Sequence, residues 1–295
     1  MLILNEEKYA KDLYDGENQD IKSIMAKIRY ITRYLVHSKL RSDDDAYKET
    51  VEWLKQHHNN FDESSYSNVI SDAIKAAEKY PFYIIDSIKV TQSELETISS
   101  LNNLRAEKIL FVLLCMAKQQ SMANGFTNGL VKYSITDLCK DARVSVPADD
   151  REYILYEIVQ KGLLGYPKKN NTQCLIVNFV NCNDVVLELN EADCQELAYV
   201  YLNWKNKGEG YGRCEFCGRL MKQSKKNPKR FCEDCSSKIG DISDDMKVIS
   251  CIDCGEMVFV PILNTKTHRC EECQRKSDEN SNRERQKRWY DSHKT

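Results

Sequence analysis

The chain lacks any run of about 18 uncharged apolar residues, the length a membrane-spanning helix needs, so no membrane partner is expected. No export signal is expected either. The start, "MLILNEEKYAKDL", has an apolar stretch too short for a signal peptide and acidic residues directly behind it. These two absences predict a cytoplasmic protein. A catalytic signature is missing as well. Of only five histidines in 295 residues, His57 and His58 fall on a polar helix end and read as solvated surface, while His268 stands alone beside Arg269 and Cys270. No His/Asp/Asn cluster accompanies the cysteines, which disfavours a nuclease, and no enzyme is expected.

Net charge is nearly absent too, at -2, but the sum hides a division. Residues 1–204 carry 23 Lys+Arg against 30 Asp+Glu, and residues 205–295 carry 20 against 15. Any surface that meets an acidic partner therefore belongs to the C-terminal end.

What the sequence does have is cysteine. Eight of its thirteen cysteines form four CxxC pairs: Cys214/Cys217, Cys232/Cys235, Cys251/Cys254 and Cys270/Cys273. The other five, Cys115, Cys139, Cys174, Cys182 and Cys194, are scattered without ligand spacing and read as small buried thiols. Each module runs CxxC, a linker of 14 or 15 residues that begins with glycine, then CxxC, and equivalent cysteines lie 37, 37, 38 and 38 residues apart, so the frame is a tandem repeat.

The chemistry explains that spacing. A CxxC turn aims two thiolates at one ion, and the following glycine permits a tight turn whose N–H groups can donate to sulfur. Two such turns supply four soft ligands in a tetrahedron, which suits a structural zinc, so two zinc ions are expected. Units of this size bury too little apolar surface to fold unaided, and metal binding, worth roughly 10–16 kcal/mol in comparable peptides, would supply most of their stability. A disulfide framework is disfavoured without an export signal, and thioredoxin-like chemistry is disfavoured without a βαβ pattern. The even gaps between pairs leave two pairings open, sequential and cross-braced, of which the repeat favours the sequential one.

Upstream the chain reads as mostly helical. Ile21, Ile24, Met25, Ile28, Ile31 and Leu35 follow helical spacing. "SDDDAYKETVEWLKQHH" opens on a helix start signal, and "DESSYSNVISDAIKAAEKYP" gives a third helix that stops near Pro81. A short strand at 2–4 is expected to pair with "YIIDSIKVT", and "SELETISSL" begins another helix. From Leu104, "AEKILFVLLCMAKQ" is apolar nearly all round and predicts a buried helix. Two helical segments follow, separated by a turn around Val144 to Pro147, and then a hairpin over "LLGYPKKNNTQCLIVNF".

Helix, helix, turn, helix, hairpin is similar to the order of a winged helix-turn-helix, over about Leu104 to Val180. DNA-binding versions place the start of the recognition helix in the major groove. Here that start reads Pro147, Ala148, Asp149, Asp150, Arg151, Glu152, and three carboxylates repel phosphate. These acids also suit a helix N-terminus, so a structural or protein-binding version of the fold is expected. Lys168 and Lys169 at the hairpin tip are the only local feature favouring phosphate.

The two cysteine modules differ where a partner would touch them. The first linker carries Arg219, Lys222, Lys225, Lys226, Lys229 and Arg230 with no acid among them, as phosphate binding would require. The second is apolar from Met257 to Leu263, which suits either cover by a protein partner or the module's own strand core. Behind the last cysteine, Arg283, Arg285, Lys287 and Arg288 precede Trp289 and Tyr290, a combination of phosphate attraction and base stacking.

This layout of helical region, winged helix and CxxC ribbons with an "RxRxxKxW" tail resembles proteins encoded by phages and prophages of Gram-positive bacteria. The resemblance implies a bacterial host cytoplasm and transfers no catalytic residue. The expected fold is mainly α with small β elements: a helical region over 1–103, a winged-helix-like domain and following helix over 104–207, zinc ribbons over 213–238 and 250–276, and a basic tail over 277–295. The expected function is a zinc-binding, non-enzymatic, nucleic-acid-binding or transcription-related regulator. The alternative is a protein-binding adaptor or inhibitor acting through the winged helix and the second ribbon.

Overall fold

The computed structural model describes residues 2–16, 23–59, 61–125, 129–168, 174–181, 183–226, 228–239, 246–261 and 268–292. Cys182 and Lys169 lie outside them.

Four capped or amphipathic helices open the chain. α1 (Glu6–Tyr14) starts where the Asn5 side chain accepts the Lys8 N–H, and α2 (Ile24–His37) follows with Ile28, Ile31 and Leu35 fully buried. α3 (Asp43–His57) begins at Ser42, whose hydroxyl accepts the Asp45 N–H, and three aspartates fill its first turn, where the helix dipole favours negative charge. α4 (Glu63–Lys79) is capped by Asp62, which accepts from Ser64 and Ser65. Leu13, Ile31, Leu35, Trp53, Leu54 and Ile70 meet in one core between these four helices. His57 is not simply solvated: its ring stacks on Trp53 at 4.1 Å, and its Nδ1 lies 2.8 Å from the Trp53 carbonyl.

Strand β1 (Ile88–Thr91) runs directly into α5 (Gln92–Ser99) through a capping box formed by Thr91 and Glu94. The buried helix α6 (Leu104–Asn124) follows, with every residue from Ile109 to Cys115 buried. Its all-round apolar sequence is satisfied because other elements pack on several of its sides. Strand β2 (Leu130–Lys132), helices α7 (Ile135–Asp141) and α8 (Ala148–Gln160), and strands β3 (Leu164–Gly165) and β4 (Cys174–Val177) come next. β3 and β4 form the expected hairpin, with Leu164 opposite Val177, and β2 completes an antiparallel sheet in the order β2-β4-β3. Strand β5 (Val185–Leu189), the short α9 (Glu191–Cys194) and α10 (Leu197–Lys205) finish this part of the chain.

The N-terminal strand pairing takes a different form from the one expected. Residues 2–4 form no strand among the described residues: Asn5 makes a single bridge to Ile84, and Ile85 donates to the Leu4 carbonyl at 2.8 Å. The ladder of β1 goes instead to β5, with Ile88 opposite Leu189 and Val90 opposite Leu187. A buried ion pair reinforces that closure. Lys118 Nζ lies 2.8 Å from Glu94 Oε1, Glu94 also accepts the Thr91 and Asn181 N–H groups, and Lys118 donates to the Asn181 carbonyl at 2.7 Å. Ladder and ion pair both cross the sequence division at residues 103 and 104, and Met1–Lys205 forms one compact unit.

The second unit, Asn206–Thr295, contains two small hairpins, each followed by a helix. The first is β6 (Tyr211–Arg213) with β7 (Leu220–Lys222), followed by α11 (Glu233–Ile239). The second is β8 (Met246–Ser250) with β9 (Met257–Pro261), followed by α12 (Glu271–Ser292). The chain is thus mainly helical with small antiparallel sheets. No helix among the described residues is long and apolar enough to cross a membrane.

Candidate metal centres

Each hairpin places its first cysteine pair in the turn between its strands and its second pair at the start of the following helix. Cys214 and Cys217 lie between β6 and β7, Cys232 precedes α11, and Cys235 falls in that helix. Cys251 and Cys254 lie between β8 and β9, Cys270 precedes α12, and Cys273 falls in its first turn.

The repeat extends to the backbone hydrogen bonds. Cys214 N–H donates to the Arg219 carbonyl, and Cys251 N–H to that of Glu256. Gly218 and Gly255 donate back to Cys214 and Cys251, while Glu215 and Ile252 donate across to Arg230 and His268. Both glycines adopt left-handed backbone, at φ 73° and 77°, the turn that the CxxCG spacing predicts.

The thiols group sequentially. The four Sγ atoms of Cys214, Cys217, Cys232 and Cys235 all lie within 4.8 Å of one another, as do those of Cys251, Cys254, Cys270 and Cys273. Cys217 to Cys232 and Cys254 to Cys270 are both 3.7 Å apart. A tetrahedral ion with metal–sulfur bonds of about 2.3 Å has edges of about 3.8 Å, so both groups have the size and donor set for such an ion. Cross-bracing is excluded by the same grouping. Four sulfurs this close cannot all carry charge unless a cation sits among them. Accordingly each group has one thiol held low. Burial pushes Cys217 up, but Arg219 brings it down to about 7, and backbone hydrogen bonds at Cys254 and Cys270 hold Cys251 at about 6. Burial and the neighbouring thiol Cys232 raise Cys235, and the thiols of Cys254 and Cys270 raise Cys273.

The two centres differ in one position. Arg219, expected among the phosphate-contacting residues, faces the sulfurs instead. Its Nε lies 3.3 Å from Cys217 Sγ, one terminal nitrogen lies 3.3 Å from Cys232 Sγ, and Asp234 holds the guanidinium at 2.7 Å. Glu256 occupies the equivalent place in the second module, where Cys270 is raised overall: the Cys273 N–H pulls its pKa down, and the Glu256 carboxylate is among the groups that push it up. Exposure differs as well: Cys254 is exposed, whereas no ligand of the first group is. Spacing alone did not reveal the role of Arg219; the signal was its place two residues after the second cysteine, where the repeat carries an acid.

The remaining basic residues are placed as follows. Arg230 pairs with Glu215 at 2.8 Å and Lys229 with Glu233 at 3.4 Å. Lys222, Lys225 and Lys226 are exposed at the end of the first hairpin, with no ion pair among the described residues. Arg283 and Arg285 are exposed on α12, and the backbone of Lys287 and Arg288 continues that helix. The apolar run of the second module is partly covered from within its own unit. Phe259 stacks on Phe216 at 5.5 Å and meets Phe231 edge-on at 6.3 Å, and both of these pack on the first cysteine cluster. Outside the two groups, Cys115, Cys139, Cys174 and Cys194 are buried free thiols, as their isolated spacing predicts.

Comparison with known proteins returns no matching family model, no matching curated protein and no matching solved structure.

Proposed function

We propose that the chain is a non-enzymatic, nucleic-acid-binding regulator of phage or prophage origin whose C-terminal unit is a pair of zinc ribbons. All-sulfur ligation with four donors per site suits zinc, which would serve structurally with no open coordination position. The observation that carries the reading is the unpaired trio Lys222, Lys225 and Lys226, projecting from a hairpin that the first metal centre would hold rigid. Phosphate contact is the natural use of clustered cations without carboxylate partners. The basic end of α12 would extend the same contact.

Fluorescence anisotropy of labelled duplex and single-stranded probes tests this. Binding should fall steeply with salt. Replacing the three lysines by Gln should reduce the slope of log K against log salt by roughly 2 to 3, weakening all sequences alike. Absence of binding at low salt removes the reading.

A second reading, a protein-binding adaptor built on the winged helix, is favoured by the character of α8. The acids Asp149, Asp150 and Glu152 are exposed at its N-terminal end, where a DNA-reading helix would meet phosphate. Purification from the native host with and without nuclease treatment separates the two readings.

A further inference from the structure

Helix α8 buries Ile154, Leu155 and Ile158 against the rest of its unit and turns a different kind of surface outward. Asp149, Tyr153, Tyr156 and Gln160 follow one another at i, i+4, i+7 and i+11, which places them on a single stripe of the helix. Tyr153 is 60% exposed and Tyr156 54%; Tyr166, just after β3, is 61% exposed. Single exposed apolar residues are ordinary, whereas large aromatic rings gathered on the outer face of one helix and its adjacent hairpin are not. Tyr133 links the two elements. Burial, and then the charges of Tyr166 and Glu152, raise its hydroxyl pKa, so Tyr133, directly after β2, has both Tyr166 and Glu152 of α8 in its neighbourhood.

The charge on this face has one sign. Asp149, Asp150 and Glu152 are exposed and Glu157 half-buried, with no ion pair among the described residues. The one cation in that stretch, Arg151, turns inward, where its Nε donates to the Val146 carbonyl at 3.3 Å. Lys168, two residues beyond Tyr166, is the exposed cation nearest in sequence to that ring. Nucleic acid would be repelled by these carboxylates, while a cationic side chain gains both from them and from the tyrosine rings.

We infer that the outer face of α8, with Tyr153, Tyr156 and Tyr166 as anchors and Asp149, Asp150 and Glu152 beside them, docks a protein segment rich in arginine and lysine. The inference rests on the adaptor reading and gives it a contact face. Tyrosine suits such a role because it offers large contact area and a polar tip at low cost in side-chain freedom.

The test uses the full chain and a fluorescein-labelled peptide of alternating arginine and alanine, followed by anisotropy at low and moderate salt. Joint Tyr153→Ala and Tyr156→Ala substitution should raise Kd at least about tenfold. Asp149→Asn with Glu152→Gln should raise it less and flatten its salt dependence. Tyr80→Ala, which removes an exposed tyrosine elsewhere, should leave Kd unchanged. Because all these side chains are exposed, circular dichroism of the variants should match the parent. No peptide binding at low salt, or binding indifferent to Tyr153 and Tyr156, overturns the inference. Duplex DNA that competes through the same tyrosines also overturns it, as does self-association that their removal abolishes. A host protein that still co-purifies with the tyrosine variant preserves the adaptor reading and excludes this face from it.

Discussion

At the scale of single residues, the two four-cysteine groups show how far a duplicated frame can diverge while its backbone stays the same. Arg219 donates to two sulfurs of the first group, whereas the carboxylate of Glu256, at the equivalent position, pushes Cys270 of the second towards its protonated form. Donors to ligand sulfur stabilise the thiolate form that binds metal, and such neighbours typically tune affinity by 10–100-fold. Arg219→Ala should therefore speed metal loss from the first centre by roughly an order of magnitude and leave the second unchanged. A chromophoric chelator followed in time reads the two phases, and identical kinetics in parent and variant would show that Arg219 is a bystander. Arg219→Lys should rescue only in part, because a point charge cannot fork onto two sulfurs and Asp234 together. The two groups of four cysteines were legible in the sequence because coordination chemistry fixes the spacing of candidate ligands locally. Arg219 was not, because the same guanidinium serves phosphate or sulfur and only its partners distinguish the two.

At the scale of elements, local signals and non-local pairings divide what could be read in advance. Ser42 announced the start of α3, and the alternation around the polar tip announced the β3–β4 hairpin. The partner of β1 carries no such local mark. Ile88 and Val90 are apolar enough to pair with several strands, and only the assembled core selects β5 over the N-terminal residues. β2, three residues long, is likewise too short for periodicity to reveal. The Glu94–Lys118 pair, buried beneath this arrangement, gives the element scale its prediction. Lys118→Met leaves a carboxylate buried without its cation and should cost about 3–5 kcal/mol, which denaturant unfolding measures. Replacing both partners together, as Glu94→Leu with Lys118→Met, should cost less than the single change, although Glu94 also caps α5, so some loss remains. Equal or greater loss in the double variant would mean that the pair itself is not what Lys118 supports.

At the scale of the molecule, the two units differ in what holds them together. Met1–Lys205 has a conventional apolar core, whereas in Asn206–Thr295 the packing around the first metal centre is a small cluster of Phe216, Met221 and Phe231 on the cysteines themselves. Chelation should therefore erase hydrogen-exchange protection in β6 to β9 while α2, α4 and α6 keep theirs, since among the described residues the cysteine groups that could couple metal binding to folding lie in the second unit. Protection retained in the hairpins after complete metal removal would contradict this. The closure of the first unit by β5 has a consequence in time as well. At roughly 5–20 residues per second, the hundred or so residues from β1 to β5 take about 5–20 s to leave the ribosome, against microseconds for a helix to form. The nascent protein thus carries early helices beside a strand edge that stays open for seconds, and Asn181, which completes the Glu94–Lys118 set, arrives only just ahead of the strand that closes it. The cysteine modules emerge after that edge has its partner, so the unit that metal would hold together is made behind Met1–Lys205, whose closing strand is already synthesised.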